Sequence, residues 1–237
     1  MIKTKVIEVI NETPDTKTIR FNLDSNFSFK PGQFVLLNAD VIIEGQKKFV
    51  KRAYSISSSP LIKNYIDLTV KIYPDKGLVS QRLFNMKVNE EMEMTGPHGF
   101  FTFDETIHKE VVFIAGGVGV TPLMCMLRYI KDKNLKDINV TLIYSSKTPE
   151  DIIFAKELML TKYPDNIKVY LTITQPNDNN WKGLIGRINE NMIKKLVPNL
   201  NNSYFYICGP TPMVEDSNKI LKSIGIKEDK IKLERFG

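Results

Sequence analysis

The chain is predicted to fold as two unlike halves: an antiparallel β-barrel domain over residues 1–104 and an α/β domain with a doubly wound, mainly parallel sheet over residues 111–237. Three observations carry this expectation. Residues 1–104 hold short strand-like runs broken by close turns. From Val111 onward, strands alternate with helical segments. Between the two patterns stands VVFIAGGVGVTPLM (111–124), which reads as strand, tight glycine turn and helix.

Composition narrows the class. The 237 residues suffice for one large domain or for two of about 100–130 residues. No run approaches the ~20 apolar residues of a membrane helix, and Met1–Ile7 alternates like a first strand without the apolar core of a signal peptide. Cys125 and Cys208 are the two cysteines, so no metal or iron–sulfur cluster of cysteines is possible within the chain, and a reducing cytoplasm is the simplest setting. The net charge of +6 comes from scattered lysines. It suits either a generally solvated basic surface or an acidic partner. No stripe or recognition motif for nucleic acid is present.

Within the first half, strands are expected at Thr4–Ile10, Thr16–Asn22, Phe34–Leu37, Ala53–Ser57, Tyr65–Tyr73 and Glu91–Thr95, with turns at Asn11 to Pro14, Pro31-Gly32, Ser57 to Pro60, Pro74-Asp75 and Gly96 to Gly99. One helix is expected, Gly77 to Asn85. Alternation places Arg52, Tyr54 and Ile56 on one strand face and Ala53, Ser55 and Ser57 on the other. An Arg can clamp phosphate and a Tyr ring can lie on a flat heterocycle, although a half-buried strand with an exposed Arg looks the same. Gly77-Leu78-Val79-Ser80 opens the helix and offers free N–H groups to an anion, or is a simple cap. His98, in the Gly96 to Gly99 turn, and His108, in the connection between the halves, read as surface residues.

The second half begins with Val111–Ala115, an apolar run suited to a strand buried on both faces. Gly116, Gly117 and Gly119 then let the backbone turn and a ligand approach its N–H groups; the positive end of the following helix favours phosphate. Pro122 stands where a usual GxGxxG would have its third glycine. Strands follow at Ile138–Tyr144, Ile167–Thr174, Ser203–Cys208 and Lys230–Phe236. Helices are expected near Glu150–Lys162, Glu190–Leu196 and Pro212–Ser223. Two strands end in glycine turns, at Gly116 to Thr121 and at Cys208-Gly209-Pro210. In the usual strand order these face each other where that order reverses, the place where such sheets bind ligands.

PGQF (31–34), RAYS (52–55), GLVS (77–80), GPHG (96–99), GGVGVTP (116–122), CGPTPM (208–213) and the terminal Glu-Arg-Phe-Gly occur in one order along nearly the whole chain. The ordered set resembles the ferredoxin–NADP reductase-like superfamily of flavoprotein reductases. The resemblance implies a barrel that binds FAD, in preference to FMN, and an α/β domain that binds NAD(P)H. Arg52 would hold flavin phosphates, Tyr54 would lie against the isoalloxazine, and Ser55 would hydrogen-bond near its reactive nitrogen, with Ala53 in the same motif. Thr69, Val70 and Lys71 would add contacts, and Gly77, Leu78, Val79 and Ser80 would cradle the pyrophosphate. Gly117, Gly119 and Thr121 would receive the nicotinamide nucleotide. Cys208 would sit near the nicotinamide, with Gly209, Pro210 and Met213 lining its site. Phe236 would cover the flavin, followed here by Gly237, and Glu234 would be the nearby carboxylate. Ser55, Cys208 and Glu234 are thus the expected catalytic residues; no metal is expected.

The implied chemistry is hydride transfer from nicotinamide to flavin, then release of single electrons to a ferredoxin, flavodoxin or other iron–sulfur protein. A free-flavin or small-oxidant reductase and an electron-transfer or adaptor subunit of a larger complex are the alternatives. No Cys-rich segment follows residue 237, so any iron–sulfur centre is expected on another polypeptide. Ser145, Ser146 and Lys147 follow the second parallel strand with no acid before Glu150. A 2′-phosphate is held by cations, and the resemblance to NADPH-using relatives implies basic residues here, which Lys147 and Arg187 match; the Ser-Arg pair of those relatives reads Thr174-Gln175, so NADPH is expected over NADH with one Arg missing.

Overall fold

The protein is described from a computed structural model, and the residues described are 1–23, 27–43, 46–73, 77–176 and 180–236. The expected Pro74-Asp75 turn and Gly237 lie outside the described residues. β1 (Ile2–Thr13), β2 (Thr16–Asn22), β3 (Phe34–Ile43), β4 (Gln46–Ser55), β5 (Tyr65–Lys71) and β6 (Glu91–His98) form an antiparallel sheet in the order β4-β3-β6-β1-β2-β5. A bridge between Ile56 and Leu68 returns the end of β4 to β5 and curls the sheet toward closure. Alternate side chains fill its interior, among them Val6, Ile19, Phe21, Val35, Leu37, Ile66, Leu68 and Met94, all fully buried. The helix α1 (Leu78–Phe84) lies against it, with Val79 packed on Val50 and Tyr54.

Two expectations in this half are corrected. β3 and β4 run on into a hairpin that pairs as far as Ile43 and Gln46, where Lys47, Lys48 and Lys51 hide the apolar alternation in the sequence. Gly96 to His98 is not a turn but the end of β6. His98 pairs with Phe34, its ring tilted against the Phe34 ring at 5.8 Å, after a cis Gly96–Pro97 peptide.

The second sheet is parallel. β7 (Glu110–Gly116), β8 (Asn139–Ser146), β9 (Ile167–Ile173), β10 (Leu184–Ile185), β11 (Tyr204–Pro210) and β12 (Ile231–Phe236) stand in the order β10-β9-β8-β7-β11-β12. Residue parity divides its two faces. Phe113, Ala115, Leu142, Tyr144, Tyr206 and Cys208 share a core with α2 (Val120–Asp132) and α3 (Ala155–Leu160). Val112, Ile114, Ile143, Phe205 and Ile207 pack with α4 (Glu190–Leu196) and α5 (Thr211–Ser223). The helix expected from Glu150 is split: a capping box of Thr148 and Asp151 closes one turn, Ile152, Ile153 and Phe154 dive into the core, and α3 begins only afterwards.

The connection between the halves is anchored rather than free. Phe101 and Phe103 are buried in the α/β core. His108, expected at the surface, is only 3% exposed. Its Nδ1 accepts the Asp104 N–H at 3.1 Å and lies 3.0 Å from the Tyr206 hydroxyl, which donates to the Thr102 carbonyl at 2.9 Å. Burial, with help from the Lys232 charge, holds His108 neutral, its pKa driven down to about 4. Tyr206→Phe is expected to cost about 1–2 kcal/mol in urea unfolding, because one buried hydroxyl serves the connection at Thr102 and His108 together. An unchanged midpoint would mean that packing alone holds the connection.

Candidate functional site in the cleft between the halves

The parallel strand order reverses between β7 and β11, since the chain leaves β7 for β8 and β9 and returns to the other side for β11 and β12. The glycine turn sits at this point. A Cβ on Gly119 would stand 2.4 Å from the Cys208 carbonyl oxygen and 2.5 Å from the Gly209 Cα, so only glycine lets the turn press onto the end of β11. Beside it, Gly116 lies against the Met213 thioether. The turn leads directly into α2, whose N-terminal end carries no acidic residue. Thr121 stands beneath the turn, buried, with its hydroxyl donated to the Val118 carbonyl at 3.0 Å; it supports the loop rather than lining the cleft.

Above this point opens a cleft of about 540 Å³. The α/β half contributes Gly116 to Gly119, Pro210, Met213 and Phe236, and the barrel contributes Asp15, Lys71, Ile72 and Tyr73. Ser145, Ser146, Lys147 and Arg187 line the cleft with Thr174, so the residues expected around a 2′-phosphate come together. Asp151 also lines it, its carboxylate accepting from the Thr148 N–H and hydroxyl at 3.1 and 3.0 Å. Sequence reasoning missed Asp15, Tyr73 and Asp151. Asp15 pairs with Lys71 and accepts from Thr13 and Thr16, which draws its pKa below the usual carboxylate range against the opposing effect of burial. Nothing in the sequence marked it beyond a turn.

On the barrel, β4 presents Arg52 and Tyr54 on one face as expected, with Arg52 exposed and, among the described residues, hydrogen-bonded only to the Lys51 carbonyl. The Tyr54 hydroxyl lies 2.9 Å from the Ser80 hydroxyl, joining RAYS to GLVS; burial raises the Tyr54 pKa. Ala53 is exposed, and Ser55 is buried with no side-chain partner among the described residues. Gly77 holds φ +75°, a left-handed conformation that glycine adopts without strain. It starts α1 with no side-chain cap and no acid in the first turn, which leaves N–H groups available to an anion. Exposed Leu78 and buried Val79 flank this cradle. A guanidinium, a phenol ring, an unpartnered hydroxyl and an uncapped helix start fit a flat, phosphate-bearing ligand such as a flavin dinucleotide. Val70 points into the barrel core, and the Thr69 hydroxyl is taken by Thr18 and Ser57, so their side chains are not free for a ligand.

At the opposite wall, β11 and β12 pair Cys208 with Glu234 and Pro210 with Phe236. The Cys208 thiol donates to Glu234 Oε2 at 3.9 Å. Burial raises the Glu234 pKa to about 7, opposed by that thiol, and burial with the adjacent carboxylate pushes the Cys208 thiol well up, so Cys208 stays a neutral thiol. Gly209 is packed against Met213, Pro210 and Phe236 reach the cleft, and Cys208 lies one layer below it.

Comparison with known proteins agrees with this geometry. The oxidoreductase FAD-binding domain family matches residues 3–103, and the oxidoreductase NAD-binding domain family matches residues 113–219. The chain is 36% identical over 240 residues to the glycine betaine monooxygenase reductase subunit of Chromohalobacter salexigens, covering 98% of this chain and 63% of that one. It therefore spans less than two thirds of the length of that relative. It is 33% identical over 201 residues to NADH-cytochrome b5 reductase 1 of Aspergillus oryzae, covering 82% of this chain and 68% of that one. Among solved structures, the cytochrome b5 reductase domain of Ulva prolifera nitrate reductase aligns with a TM-score of 0.87 at 25% identity, over 98% of this chain and 96% of that one. The ferredoxin reductase in carbazole 1,9a-dioxygenase aligns at 0.84 and 28% identity, over 100% of this chain and 69% of that one. With both ligand-binding domain types in order and a glycine-lined cleft between them, the chain belongs to the ferredoxin–NADP reductase-like superfamily of FAD- and NAD-binding oxidoreductases.

Proposed function

We propose that this protein is an NAD(P)H-dependent flavoprotein reductase that passes single electrons to an acidic carrier of ferredoxin, flavodoxin or iron–sulfur type, or to an oxygenase component. The observation that carries this reading is the cleft walled by both halves, with the nucleotide turn on one side and Lys71 and Tyr73 of the barrel on the other. A bound flavin supplies the conversion of two-electron to one-electron chemistry that side chains lack. The protein's own residues bind and orient. Arg52 and the Gly77–Ser80 cradle take phosphate, Tyr54 offers a ring face, and Ser55 offers a free hydroxyl. Phe236 lines the cleft and offers a second ring face. The Glu234–Cys208 pair keeps a proton at the buried wall in neutral solution. The net charge of +6 favours an acidic acceptor, and glycine betaine monooxygenase and carbazole dioxygenase in the relatives' names support an oxygenase system as its destination. Residues 1–104 and 111–237 are the proposed flavin and nucleotide domains, and a reducing cytoplasm is the proposed setting; among the described residues no helix is long and apolar enough to cross a membrane.

Lys147 and Arg187 favour NADPH. NADH is the second reading, favoured by Asp151 in the same cleft and by the NADH in the name of the Aspergillus relative. Anaerobic titration with each nucleotide, followed by flavin absorbance, tests both levels. Bleaching by NADPH is expected, with Lys147→Ala and Arg187→Ala each weakening NADPH about tenfold and leaving NADH unchanged, the loss of one charge-assisted contact. A protein that holds no flavin and shows no bleaching after FAD is added would overturn the reductase reading. Equal losses for both nucleotides would overturn the 2′-phosphate assignment.

Glu234 gives a pH prediction. Its folded pKa of about 7 lies above the reference 4.5, so the folded state binds the proton more tightly and Glu234 destabilises the fold progressively as pH rises between those values. Glu234→Gln is therefore expected to gain thermal stability relative to the wild type as pH rises from 4.5 to about 7, with a constant difference above that range. A difference independent of pH would contradict the buried, proton-holding carboxylate.

A further inference from the structure

Arg128 lies on α2, nine positions after Gly119, on a helix whose neighbouring residues Met124, Met126 and Leu127 are buried. Its Nε and Nη2 grip Glu157 of α3 at 3.0 and 2.6 Å, and its guanidinium stands 4.6 Å from the Phe154 ring centroid. Its Nη1 crosses to the barrel and donates to the Ser57 carbonyl at 2.7 Å. A second crossing runs the other way: Glu12 of β1 accepts the Phe154 N–H at 3.1 Å. Inside the barrel the two crossings are joined. The Ser57 hydroxyl lies 3.1 Å from that of Thr69, Thr69 lies 2.9 Å from Thr18, and Thr18 donates to Glu12 at 2.7 Å. The contacts therefore close into a ring that leaves the α/β half at Arg128, passes through three barrel strands and returns at Phe154.

Along the chain, the ring adjoins residues of both candidate sites. Ser57 is two residues from Ser55 in the RAYS strand, Thr69 is two residues before Lys71 at the cleft, and α2 carries the nucleotide turn at its start. An arginine is suited to this position because its planar fork can hold a carboxylate and a carbonyl at once while staying charged, which a lysine cannot do with one ammonium. We propose that Arg128 is a positioning residue that, through this ring, fixes the flavin face of the barrel relative to the nucleotide turn. The proposal rests on the reductase reading above, and it assigns Arg128 no contact with either ligand.

The test uses Arg128→Met and Arg128→Lys, with Glu12→Gln cutting the ring on its far side. In the full-length protein carrying FAD, Arg128→Met is expected to bind flavin and nucleotide within about twofold of the wild type while flavin reduction at saturating nucleotide slows about 100-fold, because misplacing reacting groups by about 1 Å costs on that order. Arg128→Lys should recover part of the rate, and Glu12→Gln should slow it about tenfold without touching Arg128. In the cofactor-free protein, hydrogen exchange at the Phe154 amide should accelerate in Arg128→Met, although Arg128 does not bond that amide. Variants that fold, reduce flavin at the wild-type rate and leave Phe154 exchange unchanged would overturn the proposal. If Arg128→Met does not fold, Arg128→Lys and Glu12→Gln decide it by the same readouts. A wild-type protein that neither nucleotide reduces would sink the reductase reading, while the exchange measurement would still decide whether the ring couples the halves.

Discussion

Two backbone segments touch where β7 ends and β11 ends, and the closeness of that contact sets the rest of the site. At Gly119 a single methyl group would fall 2.4 Å from the Cys208 carbonyl, well inside van der Waals contact. Because glycine stands there, the turn folds down onto β11 and α2 starts at the floor of the cleft. Cys208 is thereby sealed one layer below, which is why its thiol is held neutral and its neighbour Glu234 keeps a proton up to about 7. Pro210, Met213 and Phe236 rise around the same point and form one wall of the cleft.

The opposite wall belongs to the barrel, so the relation between the halves matters as much as either fold. That relation is built from polar contacts as well as apolar ones. The connection is pinned by Phe101 and Phe103 and by the Tyr206, Thr102 and His108 cluster, and the interface is crossed by Arg128 and by Glu12. Charged groups in such half-buried positions are tolerated because each is matched: Arg128 by Glu157 and a carbonyl, Glu12 by Thr18 and an amide. Matched directional contacts fix orientation in a way that apolar burial alone does not.

What was legible in the sequence was what depends on local period and local turn chemistry. The run Val111–Ala115 gave β7, the glycines gave the turn, and the two-residue alternation of Thr16–Asn22 gave β2 to the residue. Lys147 and Arg187, 40 positions apart, were picked out by the resemblance to NADPH-using relatives, and the parallel sheet brings both to one cleft. What escaped depends on partners distant in the chain. His108 looked like a surface residue of the connection because the tyrosine that buries it is 98 positions away. Asp15 and Tyr73 reach the cleft only once the barrel docks. The lysines of β4 hid a long hairpin, and Thr121 and Thr69 were expected at ligands but spend their hydroxyls inside the fold. Arg128 left one trace, a charge beside the buried residues of α2.

The most direct test of the central claim is Gly119→Ala, since Gly119 has an ordinary helical φ of −62° and the substitution adds only the Cβ. Flavin binding, which depends on the barrel, and nicotinamide nucleotide binding, which depends on the turn, are measured on the same variant. The close-contact account predicts flavin retained, nucleotide affinity reduced about tenfold or more, and a lower melting temperature, as expected for an overpacked site. Wild-type nucleotide affinity with an unchanged melting temperature would contradict it.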